Sequence, residues 1–449
     1  MNRWWRRGIF PCLWALAAVM ARGAEAPPAE PEGKWEEVRE ATFTEVWDTV
    51  NEAYFDPTFG GVQWKEIRDK YHPRLANVKN KVELRAVLQD MLRELHRTHF
   101  AILPRETAIF TPAERTRIGT VGADFTTVGE EVVVERVTPA TSAEQAGLKA
   151  GDVVVSINGR ALAPVREQLA KAALTDARRA FYLRSFVISG LRRSVGTKVH
   201  AVVQTGAEPA REVELTDAAY AGSWSEPVGN FPSTPIEIVT ERGADGVARI
   251  SFNVFAPQLM KDLRRFLRTL QAGDGLVIDL RGNPGGVTMM ASGLSGWLTG
   301  KEFSLGTMTM RQGFFSFEVS PQENAFTGPV AVLIDPGSAS TSEILAAGLQ
   351  EAKHARIFGE TSAGAALPSS VKKLPTGDLF QFAIADMKTP AGKLIEGEGV
   401  VPDEIVPRSR EDLAAGRDPV LAAARHWIEH ERQAAKVTPP AQQPPDASP

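Results

Sequence analysis

The sequence predicts an α/β protein built from three folded parts, and three observations lead to this class. The segment from 35 to 100 repeats its apolar residues at helical spacing. From about 116 to 162 the pattern changes to strand-like alternation with short glycine turns. From 210 to 410, continuous apolar strands such as "GLVIDL" and "VAVLID" alternate with amphipathic helices. This last pattern indicates a mostly parallel sheet covered by helices.

Composition narrows the classes of function. The 449 residues are 43% hydrophobic and 24% charged, with a formal net charge of −4. A chain of this length can bury several cores, so two or three domains are expected. The small net charge favours neither nucleic acid nor an anionic membrane as the main partner. The sequence implies no metal and no organic cofactor.

The first 26 residues have the pattern of a secretory signal peptide. A basic start precedes an apolar stretch from Gly8 to Ala21, which is too short to span a membrane comfortably, and small residues follow. We therefore expect residues 1–26 to be removed and the protein to be periplasmic or extracellular; an uncleaved N-terminal anchor is the alternative. Cys12 is the only cysteine and lies in this segment, so the mature chain would have no disulfide and no thiol chemistry.

Residues 33–112 are predicted to form a helical domain. Two stretches, "EEVREATFTEVWDTVNEAYFD" and "KVELRAVLQDMLRELHRTHF", carry apolar residues at helical spacing. In the second stretch the apolar stripe of Leu84, Leu88, Met91 and Leu95 continues to position 98 or 99. This end of the helix should therefore point into protein.

Residues 113–207 form the β-rich part, which contains "GLKAGDVVVSINGRAL". This stretch resembles the PDZ module, in which a G-L-x-x-G-D turn precedes a strand ending in I-N-G. In that family a loop presents backbone N–H groups to a peptide's C-terminal carboxylate, and the peptide adds as an extra strand. The positions that match this loop are Gly122, Ala123, Asp124 and Phe125.

Two departures from the PDZ pattern leave the preference for C-termini open. Asp124 brings a negative side chain close to where a carboxylate would dock. The stretch 163–195 is also longer and more helical than the usual short helix of the module. We expect this part of the chain to bind peptides.

Residues 208–430 are predicted to form the α/β core, and 431–449 a disordered tail. Two turns that each follow a buried strand stand out, "DLRGNPGG" at 279–286 and "DPGSASTSEILAAG" at 335–348. The second turn leads into a helix, whose first N–H groups are unpaired and suit a negatively charged oxygen. Taken singly, the first could be an ordinary tight turn and the serines of the second could be helix caps.

Several separated motifs together resemble the family of C-terminal processing, or tail-specific, peptidases and their tricorn-core and retinoid-binding relatives. The likeness includes "YFDPTFGGVQW", the PDZ-like region, "VIDLRGNPGG", "SASTSEILAAGLQ", "GETSAG" and "IEGEGVVPD", in the same order. It implies a crotonase-like α/β core with an inserted PDZ domain and a serine nucleophile, the middle serine of S-A-S-x-S-E, which is Ser340. It also implies an oxyanion hole formed by the amide of Thr341 with that of Gly285 or Gly286. Ser338 and Ser342 would be structural, and Ser342 could cap the helix.

The group that activates the serine differs between branches of this family. The processing peptidases use a lysine, and the matching position in "GETSAGAALPSS" is Ala365. Lys372 or Lys373 could replace it only after a register shift that no motif supports. The tricorn-like branch uses a histidine in an L-x-x-S-H context instead.

The segment "LRELHRTHFAI" fits the tricorn-like context, with Thr98 in place of the serine and His99 as the base. The resemblance further implies that Glu396 holds the Thr98 hydroxyl; Glu398 and Asp403 are nearby alternatives. The pattern alone favours a core histidine with both ring nitrogens hydrogen-bonded, and the resemblance reverses this in favour of catalysis. His96 lies three residues earlier, but no third ligand motif supports a metal.

The sequence therefore predicts an exported serine endopeptidase that acts on polypeptides, recruited or gated through the PDZ-like region. The rival hypothesis is a scaffold that has kept the fold and binds peptides without cleaving them, because the dyad lysine is missing. The sequence leaves the substrate and the oligomeric state open.

Overall fold

The computed structural model describes residues 32–271 and 273–437. The predicted signal peptide with Cys12, and the part of the predicted tail from 438 onward, lie outside these residues. Across the described chain, no helix combines the length and the apolarity needed to cross a membrane.

The N-terminal part is helical and shares a small sheet with the core. Its helices are α1 (Glu32–Ala53), α2 (Trp64–Tyr71) and α3 (Lys81–Arg93), and its strand is β1 (Ala101–Leu103). Helix α3 begins at Lys81 because the Asn80 side chain accepts a hydrogen bond from the Glu83 amide, and its apolar stripe is buried as predicted. The predicted helical continuation to 98 or 99 is wrong, because the helix ends at Arg93 and Thr98 is buried in a non-helical segment. Strand β1 pairs antiparallel with a strand of the core, and this pairing fixes the segment that ends at His99 and Phe100 against the core.

The PDZ-like part is a sheet with three helices against it, the first of which has only four residues. Its elements are β2 (Gly119–Thr120), β3 (Ala123–Val128), β4 (Glu131–Val137), α4 (Ser142–Gln145), β5 (Val153–Ile157), β6 (Arg160–Ala161), α5 (Leu162–Ala170), α6 (Asp176–Leu191), β7 (Lys198–Gln204), β8 (Arg211–Thr216) and β9 (Ala218–Ala219). The strand order is β3-β4-β5-β7-β8, so β3 is an edge strand. Strand β8 pairs with β7 along its length, which extends this part beyond the predicted boundary at 207. The incoming strand β2 and the outgoing strand β9 pair with each other.

The core is a mostly parallel α/β sheet, as predicted. Its strand order is β12-β13-β14-β17-β18-β22, and only the β12–β13 pair in this sheet is antiparallel. The elements are β10 (Ser223–Trp224), β11 (Pro235–Ile236), β12 (Ile238–Arg242), β13 (Val247–Phe252), α7 (Met260–Leu267), β14 (Gly275–Asp279), α8 (Met289–Ser295), β15 (Phe303–Met310), β16 (Phe314–Val319), β17 (Val330–Ile334), α9 (Thr341–Glu351), β18 (Arg356–Gly359), β19 (Ser369–Lys373), β20 (Leu379–Ala383), β21 (Ala385–Lys388), β22 (Glu404–Ile405), α10 (Arg410–Ala414) and α11 (Pro419–Val437).

Alternate residues of the central strands pack against helices on opposite faces of the sheet. Ile278 and Val332 face the core cluster that includes α7, α8 and α9, whereas Val277 and Leu333 face α11. Helix α11 continues to Val437, so residues 431–437 are helical and not part of a disordered tail. Apolar residues of α11 such as Ile428 are buried against the sheet, which explains why a helix forms at this position.

Strands β14 and β17 are parallel neighbours, paired from Leu276–Val330 to Asp279–Leu333. The two turns singled out in the sequence directly follow these strands. Because neighbouring parallel strands end at the same edge of a sheet, both turns lie side by side there.

Candidate active site

Ser340 occupies a sharp turn between β17 and α9. Its backbone has φ 54° and ψ −118°, a conformation that non-glycine residues adopt rarely and mostly at functional sites. Its amide donates to the Ala365 carbonyl at 2.9 Å and to Glu343 Oε2 at 3.0 Å. Two hydrogen bonds therefore stabilise the strained conformation of this turn.

The three serines of this turn have different environments. Ser338 and Ser342 are fully buried, and their hydroxyls donate to the carbonyls of Leu280 at 2.8 Å and Asn283 at 2.9 Å. Ser340 is the one that is partly exposed. The expectation that Ser342 caps the helix is wrong, because Ser340 itself occupies the cap position and Ser342 bonds across to the other turn.

Thr98, His99 and Glu396 form a hydrogen-bonded group. Thr98 Oγ1 donates to Glu396 Oε2 at 2.9 Å, and the Thr98 amide donates to Glu396 Oε1 at 3.1 Å. His99 Nδ1 lies 2.7 Å from Thr98 Oγ1. Since the single hydroxyl proton goes to the carboxylate, Oγ1 accepts from Nδ1–H, and Nε2 is the nitrogen that can take up a proton.

The segment from Ala365 to Ala366 joins this group to Ser340. The Ala366 amide donates to Glu396 Oε2 at 3.1 Å, and the Ala365 carbonyl accepts from the Ser340 amide. The residues come from the N-terminal helical part and from three segments of the core. The structure therefore links Thr98 to Glu396, 298 positions away, and connects Glu396 to the Ser340 turn through Ala365 and Ala366.

The buried carboxylate of Glu343 binds both the Ser340 turn and the segment that contains Ala365. Its carboxylate accepts hydrogen bonds from the Ser362 hydroxyl at 2.6 Å and from the amides of Gly364 at 2.6 Å and Ala365 at 2.9 Å, in addition to the Ser340 amide. Burial raises the pKa of Glu343 to about 7, although these donors act in the opposite direction. The sequence reasoning missed this residue, although the spacing Ser340-x-x-Glu343 is that of a capping box.

The two downstream lysines lie elsewhere. Lys372 Nζ pairs with the Glu45 carboxylate of α1 and lies 3.5 Å from Thr49 Oγ1. Lys373 is exposed on the same strand. Ala365, at the position of the family lysine, is buried among apolar residues of the PDZ-like part. The geometry therefore gives no support to a displaced lysine.

The glycine turn lies directly against Ser340. Thr341 Oγ1 donates to the Gly286 carbonyl at 2.9 Å. A Cβ on Gly285, whose φ is 98°, would lie 2.7 Å from Ser340 Cβ and 2.8 Å from the Thr341 nitrogen, so only glycine fits there. The Gly285 amide donates to Asn283 Oδ1 at 2.9 Å. Within the described residues, the amides of Gly286 and Thr341 have no acceptor, and these two can receive a negatively charged oxygen.

Arg178 of α6 brings a positive charge from the PDZ-like part into this site. Its Nε donates to the Ala363 carbonyl at 2.9 Å, and its Nη1 lies 3.6 Å from Glu396 Oε1. Burial, together with the charge of Arg178, lowers the pKa of His99 to about 4. The imidazole is therefore neutral at pH 7. Nothing in the local sequence pattern singles out Arg178, because its contacts depend on how two domains dock.

The predicted peptide-binding residues lie at the start of the edge strand β3. Asp124 Oδ2 accepts from Arg136 Nε at 2.8 Å, so its charge is compensated within the sheet. The Phe125 side chain is buried, and its carbonyl accepts from Arg184 Nε of α6 at 2.6 Å. Gly122 and Ala123 precede them, and the Gly122 carbonyl accepts from the Thr138 amide at 2.8 Å.

Three family models match successive parts of the chain. Residues 36–93 match the tricorn protease C1 domain, 107–183 the PDZ domain and 246–406 peptidase family S41. The chain is 28% identical over 367 residues to a carboxyl-terminal-processing protease of Synechocystis sp., covering 80% of this chain and 79% of that protein. It is 27% identical over 370 residues to one of Picosynechococcus sp., covering 81% and 82%.

A solved structure of similar fold is that of the photosystem II D1 C-terminal processing protease. It has 24% sequence identity and a TM-score of 0.56, and the match covers 83% of this chain and 94% of that one. The order of the three matched domains and the coverage of the relatives agree with the observed architecture. The chain is a serine-type peptidase with an S41 peptidase core and a PDZ domain, and over about four fifths of its length it is similar to carboxyl-terminal-processing proteases.

Proposed function

We propose that this protein is an exported endopeptidase in which Ser340 attacks the peptide carbonyl and His99 is the general base. The observation that carries the proposal is the hydrogen-bonded group of Glu396, Thr98 and His99, joined to the strained Ser340 turn through Ala365 and Ala366. A serine hydroxyl is a weak nucleophile unless a neighbouring base accepts its proton.

The reaction follows the serine–histidine–acid logic with a hydroxyl inserted. His99 Nε2 takes the Ser340 Oγ proton as Oγ bonds to the carbonyl carbon, and the amides of Gly286 and Thr341 donate to the oxyanion. His99 then gives the proton to the leaving amine, whose C–N bond breaks. Water then attacks the acyl carbonyl while His99 takes a proton from it. His99 returns this proton to Ser340 Oγ as the bond between the acyl carbon and Oγ breaks. Glu396 acts through Thr98 to stabilise the imidazolium.

We place the chain in the tricorn-like branch of its family. Ala365 stands where the processing peptidases have their lysine, and its side chain packs against the PDZ domain. Lys372 is held by Glu45 of α1. Both observations support histidine over lysine as the base.

We further propose that peptide binding to the PDZ domain gates the active site. A peptide adding to the β3 edge would compete with Arg184 for the Phe125 carbonyl. The next residue, Thr126, is bonded at 2.6 Å to Arg408, which also reaches Asp335 Oδ2 at 3.2 Å in the Ser340 turn. Binding at this edge would therefore disturb contacts that reach the catalytic turns.

The base is tested with three variants of similar size change. His99→Ala should lower kcat for an unfolded protein substrate by roughly 10³-fold or more, as removal of a catalytic base does. His96→Ala, an exposed histidine three residues earlier, and Lys372→Ala should stay within about twofold of wild type. Loss of activity in Lys372→Ala with retention in His99→Ala would overturn the assignment.

A scaffold without catalysis is the second candidate, favoured by the alanine at position 365. A fluorophosphonate probe should label Ser340 in the wild type and leave Ser340→Ala unlabelled. Because a closed PDZ domain could block the probe, the labelling is repeated with a saturating PDZ peptide. No labelling of folded protein in either condition, with peptide binding retained, would favour the scaffold.

A further inference from the structure

Four cationic side chains line one face of helix α7. Lys261, Arg264, Arg265 and Arg268 stand at positions i, i+3, i+4 and i+7, and so form a single stripe about 10 Å long. All four are exposed, and together they line a surface hollow of about 410 Å³. We call this set the cationic stripe. The opposite face of the helix is buried in the core.

The positive charge of the cationic stripe is largely uncompensated. In the part of the chain that the structure describes, Asp262 is the one carboxylate within ion-pair distance, at 3.1 Å from Arg265 Nη1. Like charges three or four residues apart destabilise a helix, and the stripe contains four such pairs. The helix dipole favours cations in the last turn but disfavours Lys261 in the first turn. Helix stability therefore does not account for the arrangement, whereas an anionic partner would.

Two of the four cationic side chains have defined neighbours. The Arg268 guanidinium lies over the Trp297 ring, 5.0 Å from its centroid, and Arg264 Nε donates to the Met260 carbonyl at 3.2 Å. These contacts hold two planar guanidinium groups in place, ready for carboxylates. Guanidinium groups in fixed positions bind carboxylates well. Because the proposed substrates are polypeptides, the partner that fits this charge is an acidic polypeptide segment.

The buried face of helix α7, and not the cationic stripe, connects this helix to the glycine turn. Helix α7 packs against α8, which begins at Met289, three residues after Gly286. The Phe255 amide donates to the Gly285 carbonyl, and the Phe255 carbonyl accepts from the Val287 amide. Phe255 precedes α7 by five residues. The stripe lies on the exposed face of α7, so it is a surface separate from these core-facing contacts.

We propose that the cationic stripe is an exosite that binds acidic segments of polypeptide substrates. This inference rests on the proposed endopeptidase function and names a class of substrate for it. Carboxylates entering the hollow would relieve the repulsion among the four cations, so binding should weaken steeply with salt.

Binding is measured on full-length Ser340→Ala protein, which cannot cleave the probe. The probes are a fluorescein-labelled hexaglutamate peptide and the matching hexaglutamine peptide, followed by anisotropy. The combined variant Lys261→Gln, Arg264→Gln, Arg268→Gln should bind hexaglutamate roughly tenfold more weakly, as expected when three exposed ion contacts are lost together. A charge-matched control, Lys65→Gln, Lys79→Gln, Lys393→Gln, removes three exposed positive charges elsewhere and should change affinity less than twofold.

Equal weakening in both triple variants, or no preference for hexaglutamate over hexaglutamine, would overturn the exosite. Stripe-dependent binding to phosphatidylglycerol vesicles without peptide binding would overturn it in favour of a lipid surface. Because the probe is not cleaved, these outcomes leave the proposed catalysis untouched. Conversely, intact peptide binding by a wild-type protein that hydrolyses nothing would refute the proposed function alone.

Discussion

Replacing Thr98 by valine tests the relay that connects Glu396 to His99. Valine keeps the branched shape but removes the hydroxyl, which takes part in the 2.9 Å bond to Glu396 Oε2 and the 2.7 Å contact with His99 Nδ1. Hydrogen bonds to charged groups contribute about 1.5–3 kcal/mol each. In the transition state the imidazolium depends on both bonds, so about 3–4 kcal/mol of stabilisation should be lost. At 1.36 kcal/mol per factor of ten, kcat should fall roughly 10²- to 10³-fold.

The assay is steady-state cleavage of a quenched fluorescent peptide, with kcat and KM measured separately. KM should change little, because Thr98 is buried behind the imidazole and need not touch the substrate. Thr98→Ser restores the hydroxyl and should recover activity to within a few fold of wild type. A folded Thr98→Val protein with kcat within fivefold of wild type would show that the relay is not used.

Three further predictions concern the same site. Gly285→Ala should abolish most activity and lower the melting temperature, because its Cβ would lie 2.7 Å from Ser340 Cβ. The control is Gly300→Ala, where the nearest atom to the new Cβ is 3.7 Å away. Equal losses in both variants would contradict a specific role for Gly285. With the pKa of His99 lowered to about 4, kcat/KM should stay level from pH 7 to about 5 and fall as the imidazole is protonated near pH 4; a fall centred at 6.5 would be inconsistent. Arg178→Met should move that fall to higher pH, because the charge that opposes protonation is removed, and an unchanged profile would argue against this electrostatic role.

The lowered pKa of His99 also has a consequence for stability. Between about pH 4 and 6.5 the unfolded chain binds a proton at this histidine that the folded chain does not. The contribution of neutral His99 to the free energy of unfolding is therefore fully present above pH 6.5 and is lost as pH falls through about 4. This contribution is measured by urea unfolding of the wild type and of His99→Gln at pH 5 and pH 7. The wild type should lose more stability than His99→Gln between pH 7 and pH 5, and equal losses in both proteins would contradict the prediction.

The fold class could be predicted because the strands Gly275–Asp279 and Val330–Ile334 are continuous apolar runs, which a buried parallel sheet requires. Ser340 and the Thr98–His99 pair could be named only through a family resemblance, since hydrogen bonding between distant segments leaves no local periodicity. Their roles in catalysis stay predictions.

Other features of the site had no signal in the sequence. Arg178 reaches Glu396 only because α6 of the PDZ domain packs against the core. The spacing of residues along the chain does not predict how two domains pack together. The amide of Gly285 was a candidate oxyanion donor until the structure placed Asn283 Oδ1 on it. The helical end of the tail was missed because its charged residues outnumber the apolar ones that pack on the sheet.

The pairing of β2 with β9 means that both connections to the PDZ domain cross at one place. Residues between Thr120 and Ala218 can therefore be removed or exchanged without lengthening any path through the catalytic core. A domain attached in this way can diverge with little change to the path of the core chain, provided that an arginine equivalent to Arg178 keeps its contacts with Ala363 and Glu396. For protein engineering, this ribbon is a natural graft point, because Ser340, His99 and Glu396 lie outside the graft; Arg178 is the residue that a replacement domain would have to supply.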